Sequence, residues 1–112
     1  MTAVAALIAK LEAATEADER TIIQSALDHA VNHRWISERD YHRASGWLES
    51  GASLDAALTL VESGSEYSIS TLFGLATVEV GLNHTDGPVR ERRSDGNVCL
   101  ALCIAALRAR QA

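Results

Sequence analysis

An uninterrupted apolar run near the C-terminus constrains the fold more than any other feature of this chain. Every residue from Val98 to Leu107 is hydrophobic, and Arg108 and Arg110 follow the run. A helix that is apolar on nearly every side must be buried on two sides or in an interface. The run is much shorter than the roughly 20 residues that a bilayer-spanning helix needs, so we expect a buried helix within a folded domain.

The N-terminal half carries the signals of four helices. A stripe with helical spacing predicts the first helix: Val4, Leu7, Ile8 and Leu11. Thr15 with Asp18 and Ser37 with Asp40 have the spacing of capping boxes, in which side chains satisfy the free backbone N–H groups at a helix start. Ser53 precedes a further apolar stretch and predicts the N-cap of a fourth helix.

The hydrophobic period changes from helical to two in the third quarter of the chain. Tyr67–Thr71 and Ala76–Val80 alternate along their length and are rich in β-branched residues, so they predict a hairpin that turns near Leu72–Leu75. The turn-forming residues Asn83–Pro88 follow, and a third strand over Val89–Arg93 is weakly indicated.

Together these patterns predict one α+β domain over residues 1–112. Helices precede a short antiparallel hairpin or sheet, the C-terminal helix is buried, and the helices pack on the sheet in an α-β-α sandwich-like arrangement. Two or three strands are too few to shield an apolar helix alone, and the hairpin lacks the lysines that often guard free edges. We therefore expect a homodimer that pairs sheet edges and covers this helix.

The charge distribution argues against general nucleic-acid binding. The net charge is −5, and no Lys or Arg occurs between Ala44 and Val89. A protein that neutralises duplex phosphates carries a basic patch and is usually basic overall. The N-terminus also lacks the basic region of a signal peptide, so we expect a cytoplasmic protein that does not engage a membrane.

The clearest candidate site is the arginine cluster Arg90, Arg92 and Arg93, which lies between a Gly-Pro turn and Asp95-Gly96. Arginines near a helix start can hold a carboxylate or phosphate through paired N–H groups. One interpretation is therefore an anion-binding loop, and the other is a solvated loop.

A second candidate combines Trp35 with Arg39 and Arg43. An exposed tryptophan beside arginines could stack against a base or against a side chain of a partner. The alternative interpretation places the tryptophan at the rim of a small core.

Two other pairs of reactive side chains favour structural roles. His29 and His33 have the helical spacing at which two imidazoles can share a zinc ion, but no third ligand is evident beside them. Cys99 and Cys103 have the same spacing, which suits buried hydrophobic residues better than a disulfide or a nucleophile. No nucleophile elbow or glycine-rich phosphate loop occurs. We therefore expect no enzyme activity, no metal and no cofactor.

Three alanine-rich segments resemble a known family. They are LIAKLEAATE at residues 7–16, ASLDAALTLV at residues 52–61 and LALCIAALRAR at residues 100–110. This wording is similar to that of the phage ABA sandwich domain family of small, mostly uncharacterised proteins from phages and prophages. The resemblance implies helices on both faces of a sheet, and it supplies no catalytic residues.

These observations lead to the hypothesis of a non-catalytic phage-type accessory protein that works by binding. It could act in counter-defence, either by occluding a host immune protein or by sequestering a nucleotide signal, with Arg90, Arg92 and Arg93 as anion contacts. One alternative is a small structural or assembly protein of a phage with protein partners only. A nucleic-acid-binding regulator is the third hypothesis.

Overall fold

A computed structural model describes residues 2–81 and 87–111, so most of the predicted turn at residues 83–88 lies outside the described residues. The elements in chain order are α1 (Ala3–Ala13), a 3₁₀ turn (Glu16–Asp18), α2 (Glu19–Asn32), α3 (Glu38–Glu49), α4 (Ser53–Leu58), β1 (Tyr67–Leu72), β2 (Leu75–Val80), β3 (Val89–Arg93) and α5 (Val98–Gln111). The predicted α+β fold is confirmed.

The helix starts agree only in part with the predicted caps. The Ser37 hydroxyl accepts a hydrogen bond from the Asp40 backbone N–H at 3.1 Å, as the capping-box spacing predicts. The hydroxyl of Thr15 instead donates to the Asp18 carboxylate, because a 3₁₀ turn intervenes before α2. The prediction of Ser53 as an N-cap is wrong, since α4 begins at Ser53 itself and Ala52 precedes it without a side-chain cap.

The sheet is antiparallel and has the order β1-β2-β3. Ala76, Val78 and Val80 of the central strand are buried, so they face the helices, and the residues opposite them in the neighbouring strands face the same way. We call this the inner face. The side chains that alternate with them form the outer face: Ser68, Ser70 and Leu72 of β1, Leu75, Thr77 and Glu79 of β2, and Arg90 and Arg92 of β3.

The apolar helix α5 is the centre of the core. Its residues Leu100 to Leu107 are all buried, with exposed fractions of 0 or 1%. One side of α5 packs on β2 and β3, and α1, α2 and α4 cover its other sides. The expectation that α5 needs a second subunit to cover it is therefore wrong, because the early helices do so within one chain.

The helices leave one face of the sheet open. α5 is the helix that contacts the strands, and it reaches β1 much less than β2 and β3. Within residues 2–81 and 87–111, no helix packs on the outer face. The two-sided covering that the family resemblance implies is thus not completed by the described part of this chain.

Candidate functional site

The arginine cluster belongs to a strand and not to a loop. Residues 89–93 form β3, whose side chains alternate between the two faces of the sheet. Arg90 and Arg92 point to the outer face, whereas Glu91 and Arg93 point to the inner face toward the helices. The three arginines therefore do not converge on one anion, which corrects the interpretation of this segment as an anion-binding loop.

Arg93 holds the end of α1 in place. Its guanidinium donates hydrogen bonds to the backbone carbonyl oxygens of Leu11 at 3.0 Å and of the C-cap residue Ala14 at 2.8 Å. Carbonyl groups at the end of a helix lack the full set of intrahelical partners, and the Leu11 carbonyl also accepts the Ala14 backbone N–H at 3.2 Å. It also makes a two-pronged ion pair with Asp95, with contacts of 3.1 and 2.7 Å. With its side chain only 11% exposed, Arg93 is a structural residue.

The same contacts control the charge of Asp95. The hydrogen bonds from Arg93, followed by a hydrogen bond from the Asn97 backbone N–H, are the main causes that lower the pKa of the Asp95 carboxyl from 3.8 to about 2. Asp95 is therefore ionised at neutral pH and helps to set the loop that enters α5.

Glu91 is tied to the helices through Arg108. The Arg108 guanidinium donates to the Glu91 carboxylate and, at 3.1 Å, to the Glu12 carboxylate of α1. Burial raises the pKa of Glu91, and Arg108 counteracts this effect. Both inward-pointing charged side chains of β3 thus connect the sheet to α1 and α5.

On the outer face, one arginine is paired and one is available. Arg90 contacts the Glu79 carboxylate of β2 at 3.0 Å. Arg92 lies opposite Thr77 and makes no ion pair with another described residue. A shallow hollow of about 280 Å³ beside β3 is lined by Arg92 and Arg93 together with three acidic residues, Glu12, Glu91 and Asp95. Because Arg93 is already paired with Asp95 and the acids outnumber the arginines, the hollow favours a phosphate little.

Trp35 does not join the arginines of α3. Its ring lies among three other side chains: the Arg110 guanidinium is 5.3 Å from the ring centre, the His29 ring makes an edge contact, and the centre of the His33 ring is 5.8 Å away. Arg110 also donates to the Leu60 backbone carbonyl at 2.9 Å. These contacts tie the end of α5 to α2 and the segment after α4, and they support the interpretation of Trp35 as part of the rim of the core.

Arg39 and Arg43 lie exposed on α3, four residues apart and thus on one side of the helix. Neither makes an ion pair with another residue in the described ranges. They form a small basic stripe, but the predicted stacking platform with Trp35 is not assembled.

His29 and His33 stack on each other with their ring centres 4.0 Å apart. Nδ1 of His33 donates to the His29 backbone carbonyl at 2.9 Å. Burial lowers the pKa of His29, and the neighbouring His33 lowers it further. Residues 2–81 and 87–111 contain no group of three or more His, Cys, Asp or Glu side chains arranged to hold a metal ion.

Both cysteines are free thiols, and Cys103 is fully buried. Burial raises the pKa of Cys99 to about 11 and raises the pKa of Cys103 further above its usual range. Because the thiolate is the reactive form, neither side chain is prepared to act as a nucleophile at neutral pH.

The turn of the hairpin lies where the sequence predicts it, near Leu72–Leu75, but the sequence analysis did not single out the aromatic residue that it exposes. Phe73 and Gly74 connect β1 to β2 as a two-residue loop, and both have positive φ angles, of 50° and 80°. This combination is the type I′ turn that Asn-Gly normally occupies. Phe73 is 99% exposed, and Leu72 and Leu75 on either side are exposed at 67% and 37%. We call residues 72–75 the hairpin tip.

The neighbouring loop braces the hairpin tip. A Cβ atom placed on Gly96, which itself has a φ of 75°, would lie 2.8 Å from the Gly74 carbonyl oxygen. The loop between β3 and α5 therefore runs directly against the turn, and only glycine allows this approach. The Phe-Gly pair between two alternating segments was the sequence signal that could have identified this exposed aromatic residue.

The hairpin tip and Arg92 share one surface. Leu72 and Leu75 end the outer face on β1 and β2, and Arg92 lies on the same face of β3. The arrangement is an apolar projection with an aromatic residue at its end and, beside its base, an arginine that makes no ion pair with any other residue the structure describes.

Comparisons of this chain with protein-family models, with curated proteins and with solved structures found no match. The helices within the described residues are all too short or too polar to cross a membrane.

Proposed function

We propose that this protein works by binding another protein through the hairpin tip and Arg92, without catalysing a reaction. The observation that carries the proposal is Phe73, which is fully exposed and has a positive φ. A non-glycine residue in this left-handed region costs roughly 1–2 kcal/mol. An asparagine would avoid most of this cost and would be better solvated. Strained and exposed residues of this kind concentrate at functional surfaces.

The composition of this surface supports a protein partner of definite chemistry. Aromatic residues and arginine supply most of the energetic anchors in protein interfaces. Phe73 and Leu72 would enter an apolar pocket, and Arg92 would pair with a carboxylate at its rim. The partner surface that fits is therefore an apolar pocket with an acidic edge.

The geometry gives less support to sequestration of a nucleotide. Arg93 uses its guanidinium on α1 and Asp95, and Arg90 is paired with Glu79. Arg92 makes no ion pair with another described residue, and the adjacent hollow is lined by Glu12, Glu91 and Asp95 as well as by Arg92 and the engaged Arg93. A nucleotide site would require two or more converging donors.

The proposal of a non-catalytic role is supported by the state of the candidate reactive groups. Cys99 and Cys103 have raised pKa values. The His29 and His33 rings stack against each other and lie close to Trp35, without an adjacent nucleophile among their described contacts. The more specific hypothesis of a phage accessory protein active in counter-defence depends on the family resemblance and stays a proposal.

A site-specific cross-linking experiment tests the proposed surface. A photo-reactive amino acid replaces Phe73 in one variant and Leu54, an exposed leucine of α4, in a control. The partner cross-linked in the cells that produce the protein is identified and purified. We expect Phe73→Ser and Arg92→Glu each to weaken its binding at least tenfold, and Leu54→Ser to leave the affinity unchanged.

Equal binding by all three substitution variants would reject the proposed surface. Titrations with ATP and with cyclic di-GMP address the anion hypothesis directly. Micromolar nucleotide binding that is lost in Arg92→Ala would favour a nucleotide-sequestering protein over the function proposed here.

A further inference from the structure

β1 presents a free edge whose hydrogen-bonding groups can be assigned. The two-residue turn makes Leu72 and Leu75 a hydrogen-bonded pair, and at the other end Gly81 donates its backbone N–H to the Glu66 carbonyl at 2.8 Å. Bonded and non-bonded pairs alternate along an antiparallel ladder. The backbone groups of three residues therefore point away from β2: Tyr67, Ile69 and Thr71.

This edge lacks the features that prevent strands from pairing. The sequence of β1, Tyr-Ser-Ile-Ser-Thr-Leu, contains no charge, no proline and no glycine. In the described part of the chain, no other segment forms backbone hydrogen bonds with its outer side. The opposite edge is different, because four of the five residues of β3 are charged. Charged edges resist pairing, and uncharged regular edges promote it.

We propose that β1 pairs antiparallel with β1 of a second copy of this chain, about a two-fold axis at Ile69. The outward-pointing backbone groups restrict the new bonded pairs to odd-numbered residues of β1, and the register about Ile69 is the one that uses all three of them. Ile69 then lies opposite Ile69 of the partner subunit, and Tyr67 lies opposite Thr71 of the partner subunit. The product is a continuous six-stranded sheet.

Charge complementarity favours a second copy as the occupant of this edge. β1 is uncharged, so pairing it with itself brings no like charges together. The flanking Glu66 lies opposite Leu72 of the partner subunit and not opposite another carboxylate. The outer edges of the six-stranded sheet are the two β3 strands, whose arginines repel a further copy. The assembly therefore closes at two subunits.

Side-chain exposure on the inner face points to the same edge. α5 covers β2 and β3 but reaches little of β1, and Tyr67 is left 45% exposed. In the proposed register, Tyr67 gains a cross-strand contact with Thr71 of the partner subunit. Aromatic and β-branched residues opposite each other stabilise antiparallel pairs. Cover of α5 plays no part in this inference, since α5 is already buried within one chain.

The first test is the mass of the full chain in solution. Light scattering during gel filtration at micromolar concentration should give about twice the 12.0 kDa of one chain. Ile69→Lys places two like charges at the axis and should raise the dissociation constant of the dimer at least tenfold. Ser70→Lys changes the next residue, which faces the outer side, and should stay dimeric. A monomeric unmodified protein, or equal behaviour of the two variants, would overturn the proposal.

Cysteine substitution tests the register independently and covers the case in which Ile69→Lys does not fold. Under mild oxidation, Ile69→Cys should give a disulfide-linked dimer quickly, because opposite residues of a bonded pair lie about 5.5 Å apart between Cα atoms. Ser70→Cys should react at least tenfold more slowly, because each Ser70 is opposite Ser68 of the partner subunit. Faster reaction of Ser70→Cys would reject the axis at Ile69.

Discussion

The two edge strands of the sheet flank the same central strand but differ in how they are attached. β3 sends Glu91 and Arg93 inward to form ion pairs and hydrogen bonds with α1 and α5. β1 is uncharged, contacts α5 little and leads into a tip whose apolar side chains are exposed. Charge on an edge strand can therefore serve two purposes at once. It anchors β3 to the helices and protects it from pairing, whereas β1 is left available for binding.

The largest effect should come from removing packing at the covered side of the sheet. Leu102→Ala deletes a fully buried side chain of α5 and should reduce the free energy of unfolding by about 2–5 kcal/mol. Leu72→Ala makes the same change on β1, where the side chain is 67% exposed, and should alter it by less than about 0.5 kcal/mol. Urea denaturation monitored by circular dichroism measures both. Similar losses would show that the hairpin tip is part of the stabilising core.

Two adjacent arginines allow the inward-facing and outward-facing positions of β3 to be compared directly. Arg93→Ala removes charge-assisted hydrogen bonds to the end of α1 and to Asp95, and we expect a loss of about 2–3 kcal/mol. Arg92→Ala removes an outward side chain with no ion pair and should cost less than about 0.5 kcal/mol. The free energy of unfolding of the two variants checks this difference. A larger loss of stability in Arg92→Ala would mean that Arg92, and not Arg93, points toward the helices.

A substitution in the hairpin tip should increase the free energy of unfolding, whereas the substitutions above reduce it. Phe73→Asn places a residue that tolerates positive φ into the type I′ turn, and should raise the free energy of unfolding by about 1 kcal/mol. The same substitution should weaken binding of the partner if Phe73 is an anchor. Leu75→Asn, which lies in β2 next to the turn, serves as the control and should bring no such gain. A destabilised Phe73→Asn protein would indicate that Phe73 contributes to folding.

The smallest effect concerns pH. Asp95 has a depressed pKa in the folded protein, so its contribution to stability is present above the ordinary carboxyl pKa of 3.8 and is lost as pH falls from there through about 2. Arg93→Ala removes the main cause of the lowered pKa of Asp95. The stability of this variant should therefore depend less on pH between 3.8 and about 2. Thermal unfolding of the two proteins across these pH values measures the change. If the stability of Arg93→Ala depends on pH as that of the unmodified protein does, another contact must lower the pKa of Asp95.

Much of the fold could be predicted from local patterns. The helical stripe around Leu7, the cap at Ser37 and the alternation after Tyr67 all depend on residues close in sequence, and the structure places elements there. The 3₁₀ turn before α2 was missed, and the predicted fourth helix is present but begins at Ser53 itself, because caps compete with other local hydrogen bonds of hydroxyl side chains.

The candidate site was predicted less well, because the sequence does not show how the environments of the three arginines of β3 differ. The weak strand signal at residues 89–93 left this segment described as a loop. Once it is a strand, alternation separates Arg92 from Arg93 and gives them different environments. The hairpin tip was missed because a phenylalanine is not typical of a type I′ turn, so the turn was assigned but its exposed aromatic residue was not recognised.

Local sequence patterns were sufficient to predict that the apolar run 98–107 is buried and that the segments Tyr67–Thr71 and Ala76–Val80 form a hairpin. These properties follow from composition and period within single segments. The strand order that makes β3 the charged edge, the cover of α5 by the early helices, and the binding of Arg93 to backbone oxygens at the end of α1, more than seventy residues earlier in the chain, became known from the tertiary structure alone. The physical reason is that a side chain is anchored or available according to the groups that folding brings beside it. Local sequence does not contain those groups.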